Sequence, residues 1–380
     1  MTLLLRLRRW LAVFFFAVLC LPALGLFLPD LPAPERTALA PAARWWRNAS
    51  RHLDPYINDT FGFRGAVLAA HGRYLRFIGS PPSDRVLEGE NGALFIRDDA
   101  TLEQSLGQTV RPGAVAGFVD FTRSLDAQVT ALGGRFVALI APNAQTVTRE
   151  NLPAYARRAM KTPTEYDLIA ERMAADGIPF VDLRPLMEAA KKDGPIYFRY
   201  DTHWNERGAL LAFNAAMDAA GRPDLAVSPE AALGPPVARP DGDLLRLAGL
   251  EQPDPPDRRF QWQEPFIAPQ NLAPVAGAVM EADHPIFHSE AFETGHAGPR
   301  IMVVGDSFTR DFWRGLIATR SSAFAWAHHR SCRFDRGLIE RFRPDILIYI
   351  PVERYLPCDA SLAPAGVAAP NALPTGPAAH

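Results

Sequence analysis

Cysteine is scarce in this chain, with three residues in 380, at positions 20, 332 and 358. That excludes a small scaffold stapled by disulfides, and none of the three has the spacing to a histidine that a zinc site needs. Net charge is nearly absent as well: 40 basic and 42 acidic side chains leave −2 at neutral pH. Without a basic excess there is no electrostatic footprint for a nucleic acid, and none is expected as a partner. Internal repeats are missing, so the chain is not a repeat array. Uncharged apolar stretches are also few, and the longest stands at the N-terminus.

There, Arg6, Arg8 and Arg9 precede Trp10 to Leu28, a run without a charged side chain. Arginines before the run and Asp30 after it put the N-terminus in the cytoplasm, and no A-x-A cleavage site follows. Residues 1–28 are therefore expected to form an uncleaved inner-membrane signal anchor, with the rest of the chain in the periplasm. Residues 29–44 are rich in proline and alanine and read as a linker. Residues 45–359 form the expected domain, and 360–380 read as a disordered tail. Of the exported cysteines, Cys332 and Cys358 are able to pair in an oxidising compartment or to stay free. His328-His329 reads as a surface pair at a strand end, not as a metal site.

Within the domain, hydrophobic spacing alternates between two periods. Helices are predicted over Trp45–Ile78 in two pieces, Val115–Leu132, Thr164–Asp176, Trp204–Ala220 and Phe308–Thr319. Short buried strands are predicted over Phe136–Ala141, Pro179–Leu183, Ile301–Val304, Ala323–Trp326 and Ile346–Ile350, with a hairpin at Val86–Ile96 around Asn91-Gly92. Strand–helix alternation implies an α/β fold, a mainly parallel sheet flanked by helices. Residues 223–298 break the pattern. They are proline-rich and aperiodic, and read as a long insertion whose aromatics, Trp262, Phe266, Phe287 and Phe292, suit either sugar stacking or a minor core.

The chemistry gathers at two segments. Asp201-Thr202-His203-Trp204 holds a carboxylate and an imidazole two residues apart, on one side of an extended chain. Gly305-Asp306-Ser307-Phe308 puts a serine at a strand-to-helix turn, where the serine N–H faces a developing oxyanion. Together they offer a nucleophile, Ser307, a base, His203, and an orienting carboxylate, Asp201. A helix-capping serine and a packed histidine are the plain alternatives. Ligands of a parallel sheet gather at the carboxyl ends of its strands. That makes Asn143 a candidate oxyanion donor, Arg354 a candidate substrate contact, and Trp204, beside the base, another. Turn asparagine and structural salt bridge are the corresponding plain readings. No metal or cofactor is called for.

Both segments resemble the signature motifs of the alginate O-acetyltransferase family, the SGNH-hydrolase-like proteins of bacterial exopolysaccharide acetylation. Phe61-Gly62-Phe63-Arg64, Gly89–Phe95, Leu152-Pro153 and Val352-Glu353-Arg354-Tyr355-Leu356 fit in the same order, over roughly residues 50–357. The resemblance implies that Asp201, His203 and Ser307 form the triad, in an order permuted from that of GDSL esterases. It implies acetyl transfer to a polysaccharide hydroxyl from an acetyl donor, with a membrane-bound O-acyltransferase as partner. Ala93, Ala144 and Thr148 depart from the tryptophan, lysine and tyrosine expected there. The last two departures favour a neutral polymer over alginate. A carbohydrate acetylesterase with the same triad and a non-catalytic polysaccharide-binding scaffold are the rival expectations.

Overall fold

The computed structural model describes residues 2–25, 70, 74, 83–250, 255–269, 271–278 and 287–356. The linker, the Phe61-Gly62-Phe63-Arg64 turn, the tail and nearly all of the helical segment predicted over 45–78 lie outside these residues. The chain divides into two compact units, residues 1–86 with 245–252, and residues 87–244 with 253–380.

In the first unit, Thr2–Gly25 is a single helix. Among the described residues no helix is long and apolar enough to cross a membrane, so the predicted spanning anchor is not supported. Arg6, Arg8 and Arg9 lie inside the helix.

The second unit is built on one sheet. Its strands are β1 Arg135–Leu139, β2 Phe180–Val181, β3 Ala273–Pro274, β4 Glu290–Glu293, β5 Arg300–Gly305, β6 Ala323–His328 and β7 Ile346–Tyr349, in the spatial order β2-β1-β7-β5-β6-β4-β3. The first five in that order run parallel, whereas β4 and β3 add on antiparallel at one edge. The sheet is therefore mixed, and its antiparallel edge comes from the segment read as an aperiodic insertion.

Flanking helices are α1 Pro112–Ala131, α2 Glu165–Ala175, α3 Glu206–Ala219, α5 Ser307–Ala318 and α6 Gly337–Phe342, whereas α4 Asp243–Ala248 begins in this unit and ends in the first. Alternate strand residues face opposite sides, and both sides are apolar, as a parallel sheet covered on both faces requires. Val137, Leu139, Ile301, Val303, Ile346 and Ile348 pack with α3 and α5. Phe136, Ala138, Met302, Val304, Leu347 and Tyr349 pack with α1, α2 and α6. Caps fix where the helices begin. Thr164 and Asp167 form a reciprocal capping box at α2, and the Asn205 side chain accepts from Arg207 N–H and Gly208 N–H at α3.

The insertion is ordered where it is described. Leu233–Arg239 pairs antiparallel with Asp257–Trp262. Phe266 is buried, and Trp262, Phe287 and Phe292 pack partly buried against the core, so these aromatics form a minor core. The His328-His329 pair is buried, not on the surface. A strand end inside a doubly covered sheet leaves no solvent there, and Phe287 stacks on His328 at 5.5 Å. Cys332 is disulfide-bonded; Cys358 lies outside the described residues.

Candidate active site

Asp306 organises the serine turn. It is buried, and its Oδ1 accepts from Phe308 N–H (3.0 Å) while its Oδ2 accepts from Val352 N–H (2.7 Å). One carboxylate thus caps α5 and ties it to the chain leaving β7. Burial pushes the Asp306 carboxyl up, against Arg354 and the two N–H donors. Ser307 opens α5 just beyond the end of β5.

His203 reaches Ser307 from the turn that precedes α3. Its Nε2 lies 2.7 Å from Ser307 Oγ, and its Nδ1 lies 2.6 Å from Asp201 Oδ1. Asp201 Oδ1 also accepts from His203 N–H at 3.0 Å, which locks the two-residue spacing into one loop. The imidazole rests on the Phe308 ring, centroids 4.8 Å apart. Burial disfavours the imidazolium, but the hydrogen bond and charge of Asp201, with Asp243, outweigh burial and Arg354 and raise the His203 pKa. Asp201 goes the other way. Burial would push its carboxyl up, yet His203, Arg239 and Asp243 N–H hold it well below the usual range.

Two residues that the sequence did not mark complete this network. Arg239 Nη2 donates to Asp201 Oδ2 at 2.7 Å, and Asp243 N–H donates to the same oxygen at 3.1 Å. The Asp243 carboxylate accepts from Thr202 N–H (2.8 Å) and from Thr202 Oγ1 (2.5 Å), and lies 3.7 Å from His203 Nδ1. Asp201, His203 and Asp243 offer ligand-type atoms within 4.8 Å of one another. With a guanidinium on Asp201 and Ser307 on the far imidazole nitrogen, the group works as an ion-pair network, not a cation cage.

The other predicted residues divide. Asn143 sits at the carboxyl end of β1 but is buried. Its Nδ2 donates to Ser105 Oγ at 3.0 Å and its N–H to Glu353 Oε2 at 2.8 Å, while its Oδ1 has no partner. It shares the strand ends with Ser307, and no hydrogen bond joins the two. Trp204, expected as a substrate contact, is fully buried. Its Nε1 donates to Phe308 O at 2.9 Å and its ring packs on Phe308 and Trp313, so it props up the serine helix. Arg354 faces the site. Its guanidinium lies 5.2 Å from the Phe308 ring, and its buried Nη1 has no hydrogen-bond partner. Its neighbour Glu353 points inward, accepting from Asn143 N–H and Thr146 Oγ1.

A mixed α/β sheet with a serine at a strand-to-helix turn, facing a carboxylate-bound histidine, defines an SGNH-hydrolase-like protein. The sequence model of the SGNH hydrolase-like domain of the acetyltransferase AlgX matches residues 86–319, and the chain belongs to that family. Among solved structures, the chain resembles Bacillus cereus PatB1 with a sulfonyl adduct at 13% identity and TM-score 0.51, covering 72% of this chain and 96% of that one. The O-acetyltransferase domain of Pseudomonas putida AlgJ matches at 18% identity and TM-score 0.48, over 72% and 92% of the two chains. Pseudomonas aeruginosa AlgX matches at 17% and 0.43, over 75% and 65%. Nothing matches among curated proteins.

Proposed function

We propose that the protein is an O-acetyltransferase that acetylates hydroxyls of a bacterial exopolysaccharide in the periplasm through a Ser307 acyl-enzyme. The observation that carries this reading is the hydrogen-bonded line from Asp201 through His203 to Ser307, at 2.6 and 2.7 Å. Ser307 Oγ attacks the acetyl carbonyl as His203 Nε2 takes its proton. The tetrahedral oxyanion collapses, the donor's leaving group departs with the proton from His203, and acetyl stays on Ser307. An acceptor hydroxyl then gives its proton to His203 and attacks, and Ser307 leaves reprotonated. Asp201 holds Nδ1 protonated and stabilises the imidazolium. In the first turn of α5, Phe308 N–H and Thr309 N–H are taken by Asp306, at 3.0 and 3.1 Å. That leaves the Ser307 N–H for the oxyanion, with the free Arg354 Nη1 as the nearby cationic donor. Family membership supports acetyl as the group moved, and a membrane-bound O-acyltransferase as its supplier.

The test is to supply an acetyl donor with and without neutral and uronic-acid oligosaccharides and to weigh the sugars by mass spectrometry. Acetylated sugar that disappears in Ser307→Ala is the expected result. Acetate released to water with every acceptor would make the protein an acetylesterase. A Ser307→Ala protein keeping more than about a tenth of wild-type turnover would remove Ser307 as nucleophile, since triad serines contribute far more. A serine that no fluorophosphonate probe labels would favour the scaffold reading.

A further inference from the structure

We propose that the segment between α3 and β5 is part of the working site: Arg239 and Asp243 are positioning residues that hold Asp201 and His203 as a charge-balanced relay. The proposal rests on the reading of His203 as the general base of Ser307.

The geometry is specific. Asp201 Oδ2, the oxygen turned away from His203, is held from two sides by Arg239 Nη2 (2.7 Å) and Asp243 N–H (3.1 Å). The Arg239 guanidinium is itself seated 4.0 Å over the Phe198 ring, a stacked and oriented cation. Asp243 accepts from both donors, N–H and Oγ1, of Thr202, the residue between Asp201 and His203. Downstream, Asp257 Oδ2 accepts from Arg199 N–H (2.6 Å) and Tyr200 N–H (3.0 Å). Four consecutive residues, 199–202, are thus bound by side chains of the inserted segment. Gly242 permits the approach, because a Cβ there would lie 2.1 Å from Tyr200 O.

Charge gives the arrangement its sense. Arg239 alone would cancel Asp201 and weaken its support of an imidazolium. Asp243, with its oxygen 3.7 Å from Nδ1, restores a negative partner. With His203 neutral, Asp201, Asp243, Arg239 and His203 carry a net negative charge. Once His203 has taken the Ser307 proton, the four are neutral together, in a partly buried setting where unbalanced charge is costly. The other charges that bear on His203 or its partners are Asp241, 3.6 Å from Arg239 Nε, Glu206 and Asp257, which feel Arg239, Arg354 beyond β7, and Asp306 and Asp311 on the α5 side. They are unchanged in the variants below.

The experiment uses the full chain. In a Ser307→Ala background, the His203 imidazole is titrated by NMR in the parent, Arg239→Met, Asp243→Asn and the double variant. Removing the cation is expected to move the midpoint to higher pH, and removing the carboxylate to lower pH. The double variant is expected to fall between them. With Ser307 intact, the acid limb of kcat/KM moves in the same two directions. Arg239→Met loses about tenfold in kcat/KM, the worth of a charged hydrogen bond, and Arg239→Lys keeps the parent limb. If Arg239→Met does not fold, Arg239→Gln replaces it. Midpoints that move the same way, or do not move, overturn the proposal. Residual turnover in Ser307→Ala with opposite midpoints would sink the nucleophile and leave the relay standing.

Discussion

In the proposed mechanism, His203 is where residue chemistry becomes a rate. A general base works only when neutral, and here Asp201 and Asp243 raise its pKa above the ordinary 6.5. The sign follows: kcat/KM is low while His203 is protonated and rises with pH through a midpoint above 6.5. Asp201, held far below the usual range, stays ionised throughout and adds no limb of its own. Asp201→Asn should both shift this limb toward acid and cost on the order of 10⁴ in kcat, because the wrong imidazole nitrogen then carries the proton. A pH–rate profile of the two proteins checks both points, and an unchanged midpoint would show that Asp201 does not govern His203. Ser307→Ala, His203→Ala and the pair together should cost about the same, since the residues act as one unit. The Asp201–His203 spacing was legible because two residues apart in extended chain means one side. Arg239 and Asp243 were not legible. They lie 38 and 42 positions from Asp201, in a stretch with no periodicity to place it. Trp204 was misread for a related reason: its burial is decided by Phe308, 104 positions away.

At the scale of elements, indoles tie α5 to α3, to the turn before α3 and to β6. Trp204 Nε1 donates to Phe308 O and Trp313 Nε1 to Ala209 O, both at 2.9 Å, and Trp326 Nε1 reaches Thr309 Oγ1 at 3.0 Å. His203 and Ser307, the proposed base and nucleophile, stand at the starts of α3 and α5, so their distance is set by that packing. Trp204→Phe keeps most of the ring but loses the hydrogen bond, and should cost about 1 kcal/mol in urea unfolding. Because it shifts α5 against His203, the same change should lower kcat more than it alters KM. A drop confined to stability would mean that the indole bond does not set the register. Gly242 makes a second case. A Cβ 2.1 Å from Tyr200 O cannot be accommodated without backbone movement, and overpacking of this kind costs about 1–3 kcal/mol. Gly242→Ala should therefore loosen the Asp243–Thr202 clasp and depress activity more than its unfolding midpoint suggests. Helix positions were readable in advance because caps and apolar periods are local signals. Val115–Leu132 and Thr164–Asp176 came out as Pro112–Ala131 and Glu165–Ala175. Proline-rich strands such as Leu233–Arg239 carry no such signal, since their partners alone make them strands.

For the whole molecule, the parallel half of the sheet was visible as strand–helix alternation. Its antiparallel edge was not, because β3 and β4 are two and four residues long, too short to show a period. The proposed compartment draws on a different observation. Among the described residues no helix is long and apolar enough to cross a membrane, so export is not argued from the N-terminal helix. Cys332, however, is disulfide-bonded, and such bonds persist in oxidising compartments and rarely in the cytosol. Its sulfur sits behind β7, 3.6 Å from Tyr349 Oη, on the sheet face away from α3 and α5. The bond fits the proposed periplasmic location, and it braces the fold and not the chemistry. Cys332→Ser should then lower unfolding free energy by about 2–4 kcal/mol and leave kcat/KM at low temperature nearly intact. A C-terminal alkaline phosphatase fusion, which folds only where disulfides form, should be active in cells. An inactive phosphatase, together with a Cys332 that reacts with thiol reagents in the freshly isolated native protein, would place the chain in a reducing compartment and withdraw the exopolysaccharide as its acceptor.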